Sequence, residues 1–219
     1  MSVLDRPVWA SLSTAHAALS TGNSLARRYA RQVNLFASAH DDTAPALAAL
    51  AALVGPGEQV FVLQVPAIVV PAALVAVKEA QGVQMLATRG APAAAGHEVI
   101  VQLTDADVPE MLALARLIGI RIGGRLAAMA GERFRFPGYT EVSGVCTHPD
   151  FRGRGLARRL SAAVAAGIEA RGERPFLHAW KTNRPAIMLY ESLGFEIRNE
   201  VNVAVLERRD ASATFTGSR

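Results

Sequence analysis

The sequence predicts an α/β chain built on a mixed sheet, and three observations lead to that class. From residue 97 onward the patterns run strand, helix, strands, helix, strand, helix, strand. A glycine- and arginine-rich turn, "THPDFRGRGLARR" (147–159), joins a β-branched strand to a helical pattern. The 219 residues are 51% hydrophobic and 19% charged, a composition that fills a core large enough for one sizeable domain or two small ones.

The first half reads as a smaller mixed α/β region, residues 1–90. "NSLARRYARQ" follows a cap-like Asn23 or Ser24 and predicts a helix. "DDTAPALAALAALVG" has cap candidates Asp42 and Thr43, Pro45 in the first turn and Gly55 as a stop, so it predicts a second helix. "QVFVLQV" (59–65) is a β-branched and aromatic run that predicts a strand, and "VQMLATR" suggests another. "RGAPAAAGHE" (89–98) breaks every period and is the linker candidate.

The second region spans 97–207, followed by a tail, 208–219. "HEVIVQL" predicts a strand. "TDADVPEMLALARL" predicts a helix, with Thr104 and Asp107 spaced as a capping box. "GRLAAMAGERFRF" and "TEVSGVCT" predict two strands joined by a turn at Pro137-Gly138. Between Gly153 and Arg171, Leu156, Leu160, Val164 and Ile168 form an apolar stripe at steps of four, the mark of a helix lying on a sheet. "PFLHAW" predicts a strand, "NRPAIMLYESLGF" a helix with Pro185 early and Gly194 at its end, and "VNVAVLE" a closing strand.

Several function classes fall away. The apolar runs are shorter than the roughly 20 residues of a membrane span. "MSVLDRPVW" lacks the basic-then-apolar layout of a signal peptide, so the expectation is a cytoplasmic protein. The single cysteine, Cys146, excludes an internal disulfide and a cysteine-rich zinc site. His148 and His178 lack metal-ligand spacing, so no metal is expected. A pI near 9.8 invites a nucleic-acid reading, but the net charge is only +4 and no Lys/Arg block occurs, which makes nucleic acid the lesser reading. "GRGLAR" lacks the third glycine of a dinucleotide fingerprint, and no Gly-Lys-Ser/Thr follows for a P-loop.

The glycines and arginines of the turn have a use if they hold an anion. A helix start offers unpaired N–H groups and the positive end of the macrodipole. Gly153 and Gly155 let the backbone approach a pyrophosphate, while Arg152, Arg154, Arg158 and Arg159 attract a polyanion. Taken alone, the same residues would equally serve a solvated turn.

With this turn in place, the sequence resembles the GNAT superfamily of acyl-CoA-dependent N-acyltransferases. The family's pattern of Arg or Gln, two residues, Gly, one residue, Gly or Ala is met by Arg152, Gly155 and Ala157, after the strand "EVSGVCT". Its second signature is met by Asn183 and "LYESLGF" (189–195). The resemblance covers 97–207 and implies acetyl-CoA as co-substrate. It implies that the backbone of Val145, Cys146 and Thr147 pairs with the pantetheine arm and that the amides of Gly153, Arg154, Gly155, Leu156 and Ala157 hold the pyrophosphate. Asn183 would contact the cofactor arm or thioester, or cap its helix, or both. Residues 1–90 are a candidate degenerate copy of the same fold.

The implied reaction is transfer of an acetyl group to a primary amine by direct attack in a ternary complex. The alternative is a catalytically silent acyl-CoA-binding sensor. Glu141 stands where many of these enzymes carry a general base; its structural alternative is an ion-paired strand residue. Tyr190 matches the family's general acid, with a core aromatic as its alternative. By alternation Glu141, Ser143, Val145 and Thr147 share a face unless Gly144 marks a bulge. Cys146 as a nucleophile is the lesser reading beside a small buried hydrophobe. The family's loop and second helix find almost no room in "LARLIGIRIGGRL", so either the first half supplies that acceptor wall or the segment is missing. The acceptor's identity is open at this stage, as is the choice between monomer and homodimer.

Overall fold

The computed structural model describes residues 2–88, 90, 98–103 and 116–209. In chain order its main elements are α1 (Pro7–Leu12), β1 (Ser20–Gly22), β2 (Ala26–Tyr29), β3 (Ala37–Ala39), α2 (Ala44–Ala52), β4 (Gln59–Gln64) and β5 (Leu74–Ala87). Then follow β6 (Ile100–Gln102), β7 (Leu117–Ile122), β8 (Arg125–Phe136), β9 (Tyr139–Thr147), α3 (Leu156–Glu169), β10 (Arg174–Trp180), α4 (Arg184–Ser192) and β11 (Phe195–Arg208). The chain forms two compact units. One comprises residues up to Ala80 together with the stretch that begins at Asn202, and the other is Gln81–Val201. The candidate linker, 89–98, lies almost wholly outside the described residues, as does most of the helix expected from Thr104.

In the first unit, β1, β2 and β3 form a small antiparallel sheet, and β4 pairs antiparallel with the Asn202–Glu207 part of β11. Leu50, Ala51 and Val54, from α2 and the residues after it, share a core with Val60, Val62 and Leu206. The helix expected over "NSLARRYARQ" is a strand instead. Asn23 does act through its side chain, but Oδ1 accepts from the Leu25 and Ala26 amides at 2.8 and 3.1 Å and closes a hairpin turn rather than starting a helix. Gly22, at φ 126°, takes the backbone into that turn. Ala26, Arg28 and Tyr29 are then buried, and Arg28 Nη1 donates to the Leu53 carbonyl at 2.9 Å and to Glu58 at 3.1 Å.

The second unit is the sheet β5-β10-β9-β8-β7-β6, in which β5 contributes Gly82–Leu86. Every neighbouring pair is antiparallel except β9 and β10, which run parallel across the α3 crossover. The apolar stripe of α3 behaves as its spacing predicts: Leu156, Leu160, Val164 and Ile168 are all buried against the sheet core. "LIGIRI", which reads as part of a cramped connection, is the strand β7. Its Gly119 leaves space for Leu103 and Leu126, whose side chains would lie within 3.0 Å of an added Cβ.

Candidate active site

The parallel pairing of β9 and β10 is short. It joins Arg174–Phe176 to Tyr139–Glu141, while β9 continues to Thr147 and β10 to Trp180. The two strands therefore part just after Glu141, and a wedge opens between them.

Two irregularities in the β8–β9 hairpin shape this point. Ser143 faces Gly131 and Cys146 faces Met129, so β9 carries one extra residue there, and Gly144 (φ 64°) marks the bulge. The strict alternation through Val145 and Thr147 is thus interrupted, because the face of Ser143 continues at Cys146. Nearer the turn, Val142 faces Glu132 and Thr140 faces Arg135, so here β8 has the extra residue and sets both Arg133 and Phe134 opposite Glu141.

Glu141 is 1% exposed and anchored by four donors. Arg133 Nε and Nη2 donate to its Oε2 and Oε1 at 2.8 and 2.6 Å, the planar fork that suits a carboxylate. The Phe134 amide donates to Oε2 at 3.3 Å, and His178 Nδ1 lies 2.8 Å from Oε1. Burial alone would push the carboxyl pKa up, but the Arg133 guanidinium, aided by His178, outweighs it and brings the value down to about 2. A carboxylate accepts about four hydrogen bonds, so Glu141 is saturated.

Tyr190 lies on the buried side of α4, with its ring edge-on to Phe195. Burial first, and the Glu141 charge second, raise its pKa to about 12, so the hydroxyl keeps its proton at any ordinary pH. Asn183 caps α4, its Oδ1 accepting from the Ala186 amide at 3.3 Å. Cys146 is exposed rather than buried, and partial desolvation raises its thiol pKa. A thiol held in its protonated form is a poor nucleophile. Thr147 Oγ1 is buried without a hydrogen-bond partner among the described residues.

Past β9, the Pro149–Phe151 turn leads into α3. Gly155 occupies the N-cap position at φ 71°, Gly153 stands at φ 76°, and among the described residues no side chain caps the helix. Among the described residues, chain neighbours apart, nothing lies within 4 Å of a Cβ built at either glycine, so the left-handed backbone and not protein packing requires glycine there. Arg152 and Arg154 are exposed beside the loop, the Arg154 guanidinium 5.4 Å from the centre of the Phe151 ring. Arg158 turns to Ser192 at 3.2 Å, and Arg159 is committed to Glu98 at 2.7 Å, so neither is aimed at the loop as the sequence suggests.

A family profile described as FR47-like protein matches residues 117–204. A crystal structure from Novosphingobium aromaticivorans, assigned to the GNAT family of acetyltransferases, is 37% identical, with a TM-score of 0.88 over 96% of this chain and 100% of that one. The chain belongs to the GNAT family. A GCN5-related N-acetyltransferase from Kribbella flavida is 16% identical, with a TM-score of 0.64 over 96% of this chain and 97% of that one. A GCN5-related N-acetyltransferase-like protein from Streptococcus suis is 15% identical, with a TM-score of 0.55 over 93% and 92%. At these identities the last two share the fold. No curated protein matches the chain.

This GNAT chain gathers Glu141, Val145, Cys146 and Thr147 along the β9 side of the wedge and the Gly153–Ala157 backbone at its helix end. Tyr190 and Asn183 both stand on α4. Sequence reasoning missed Arg133, His178, Gln84 and Arg198. Arg133 is within reach of hairpin counting from Gly138, because Phe136 faces Tyr139 and Arg135 faces Thr140. The other three meet only through strand order. Among the described residues no group of His, Cys, Asp or Glu is placed to hold a metal, and no helix is long and apolar enough to cross a membrane.

Proposed function

We propose that the protein transfers an acetyl group from acetyl-CoA to a primary amine by direct attack in a ternary complex. The observation that carries the reading is the wedge past Glu141, with the exposed amide-rich loop of Gly153–Ala157 at its end. The uncapped first turn of α3 supplies N–H groups and the positive end of a dipole to a pyrophosphate, and Arg152 and Arg154 add charge. Backbone groups of Val145, Cys146 and Thr147, beyond the last pairing with β10, suit an extended pantetheine arm added as a strand would be. Asn183 keeps its cap on α4, and this reading gives it a second contact, to the cofactor arm.

Tyr190 serves the leaving group. A phenol whose pKa is about 12 holds its proton until a thiolate forms nearby, and so stabilises that thiolate by hydrogen-bond donation. Glu141 serves the amine side, but with four donors on its oxygens it draws the amine proton only through an intermediary. That saturation is also the one observation favouring a silent acyl-CoA sensor. Direct transfer needs no acyl-enzyme, which the raised pKa of Cys146 disfavours.

Labelled acetyl-CoA offered with alkylamines, lysine-containing peptides and peptides with free N-termini tests the reading. Label should reach an amine, and Tyr190→Phe should slow that transfer by about 100- to 10,000-fold while keeping acetyl-CoA affinity. Binding of acetyl-CoA without transfer to any amine would establish the sensor instead. Cys146→Ser should transfer within about twofold of the parent, since a general acid–base route leaves the thiol unused; loss of activity would point to an acyl-enzyme.

A further inference from the structure

One polar chain crosses five neighbouring strands at the level where β9 and β10 part. Arg198 on β11 donates through Nη1 to Gln84 Oε1 on β5 at 2.8 Å. An arginine has only donors, so this contact fixes the Gln84 amide and turns its NH₂ toward β10. There Gln84 Nε2 meets His178 Nε2 at 3.1 Å. An amide nitrogen can only donate, so His178 Nε2 is the acceptor and carries no proton. The imidazole proton sits on Nδ1, facing Glu141 Oε1 at 2.8 Å, and Arg133 holds the far side of that carboxylate. Gln84 and Glu141 are fully buried, and the His178 side chain is 7% exposed. The edge of the His178 ring set against Phe176, with centroids 5.7 Å apart, limits its rotation.

A carboxylate that accepts from Nδ1–H leaves the opposite nitrogen basic and stabilises the imidazolium that forms when that nitrogen takes a proton. We infer that His178 Nε2 is the proton acceptor for the attacking amine, with Glu141 as its orienting carboxylate and Gln84 and Arg198 as positioning residues that fix the tautomer. The inference rests on the acetyl-transfer reading and names the intermediary that Glu141 requires. The Gln84 contact, at 3.1 Å, orients Nε2 until the amine displaces the amide from it. The amine nitrogen bonds the acyl carbon as the carbon–sulfur bond breaks. The amine proton passes to Nε2, the Tyr190 proton to the thiolate, and the imidazolium proton restores the Tyr190 hydroxyl through solvent. One proton has then moved from amine to thiol. Of the charged or titratable groups in this chain, Glu141 from β9 meets the imidazole directly, Arg133 from β8 and Arg198 from β11 reach it through Glu141 and Gln84, and Tyr190 on α4 feels the Glu141 charge.

Long-range proton–nitrogen correlations of the imidazole read the tautomer in the parent protein without any ligand. The expected pattern is a protonated Nδ1 and a bare Nε2; a proton on Nε2 overturns the inference. Gln84→Glu keeps the volume and the Arg198 contact but accepts where Gln84 donates, so it should move a proton onto Nε2 and slow transfer. If it leaves both the tautomer and the rate as in the parent, the positioning role falls. His178→Gln should lower kcat by about 100- to 10,000-fold with the KM for acetyl-CoA unchanged. His178→Ala should regain part of the lost rate on addition of free imidazole. A His178→Gln variant as fast as the parent overturns the inference and leaves acetyl transfer standing, whereas a parent that binds acetyl-CoA and transfers nothing overturns both.

Discussion

Replacing Glu141 by Gln should lower stability and transfer together. The carboxylate is 1% exposed and receives four donors, two of them from Arg133. A Gln amide would set an NH₂ against the guanidinium or the His178 N–H. Breaking a buried ion pair by removing one partner costs about 3–5 kcal/mol, which for a domain of this size lowers Tm by roughly 6–20 °C. The same group gives the parent an acid limb. Its pKa falls from 4.5 in the unfolded chain to about 2 in the folded one, because Arg133 and His178 overcome the opposing effect of burial. A depressed carboxyl pKa means stability that is fully present above pH 4.5 and is lost as pH falls through about 2. The shift is worth roughly 3 kcal/mol. Urea melts of parent and Glu141→Gln between pH 5 and pH 2 should therefore converge at the acid end. A variant that melts with the parent at pH 7 and keeps the same acid limb would show that the ion pair contributes nothing. On the catalytic side, the loss of transfer should be about 100- to 10,000-fold. Raising the pH should partly restore it, because solvent then deprotonates the amine in place of the site.

Gly155→Glu should abolish the stabilisation that acetyl-CoA confers. Acetyl-CoA at a hundred times its Kd adds about 2.7 kcal/mol to the parent by mass action, or roughly 5–10 °C in Tm. Gly155 holds φ at 71° with nothing within 4 Å of the place a side chain would enter. The space that a glutamate would fill is therefore the open side of the loop, and its charge would sit at the amides proposed to hold the pyrophosphate. A left-handed backbone at a non-glycine residue costs about 1–2 kcal/mol by itself. Gly155→Ala carries that strain without the charge, and should keep a reduced but measurable shift. If Gly155→Glu melts higher with acetyl-CoA by as much as the parent does, the pyrophosphate is held elsewhere.

What could be read from the chain alone was local. The α3 stripe at steps of four, the Pro137-Gly138 hairpin, the capped start of α4 at Asn183 and the strand "TEVSGVCT" each depend on residues a few positions apart, and each stands in the structure. The pattern around Gly155 led to the right family for the same reason, since a left-handed, side-chain-free helix start must be written in adjacent residues. Asn23 shows the limit of this reading. Its Oδ1 accepts from nearby amides in either a helix cap or a hairpin turn, and only pairing with β1 and β3 selects the turn for "NSLARRYARQ". The paired bulges likewise arise from how β8 and β9 align, and they decide that Cys146 continues the face of Ser143 and that Arg133 and Phe134 both stand opposite Glu141.

By itself the sequence determined the elements that rest on short-range periodicity, capping and backbone freedom, and with them the glycine-led turn into α3 and the two candidate groups Glu141 and Tyr190. Tertiary structure alone decided what surrounds those groups. Arg198, Gln84, His178, Glu141 and Arg133 come from five strands spread over 115 positions, from residue 84 to residue 198, and meet because strand order makes β11, β5, β10, β9 and β8 neighbours. The protonation state of a buried carboxylate, and the nitrogen on which an imidazole carries its proton, follow from which donors stand within hydrogen-bonding distance, and no local pattern encodes that placement.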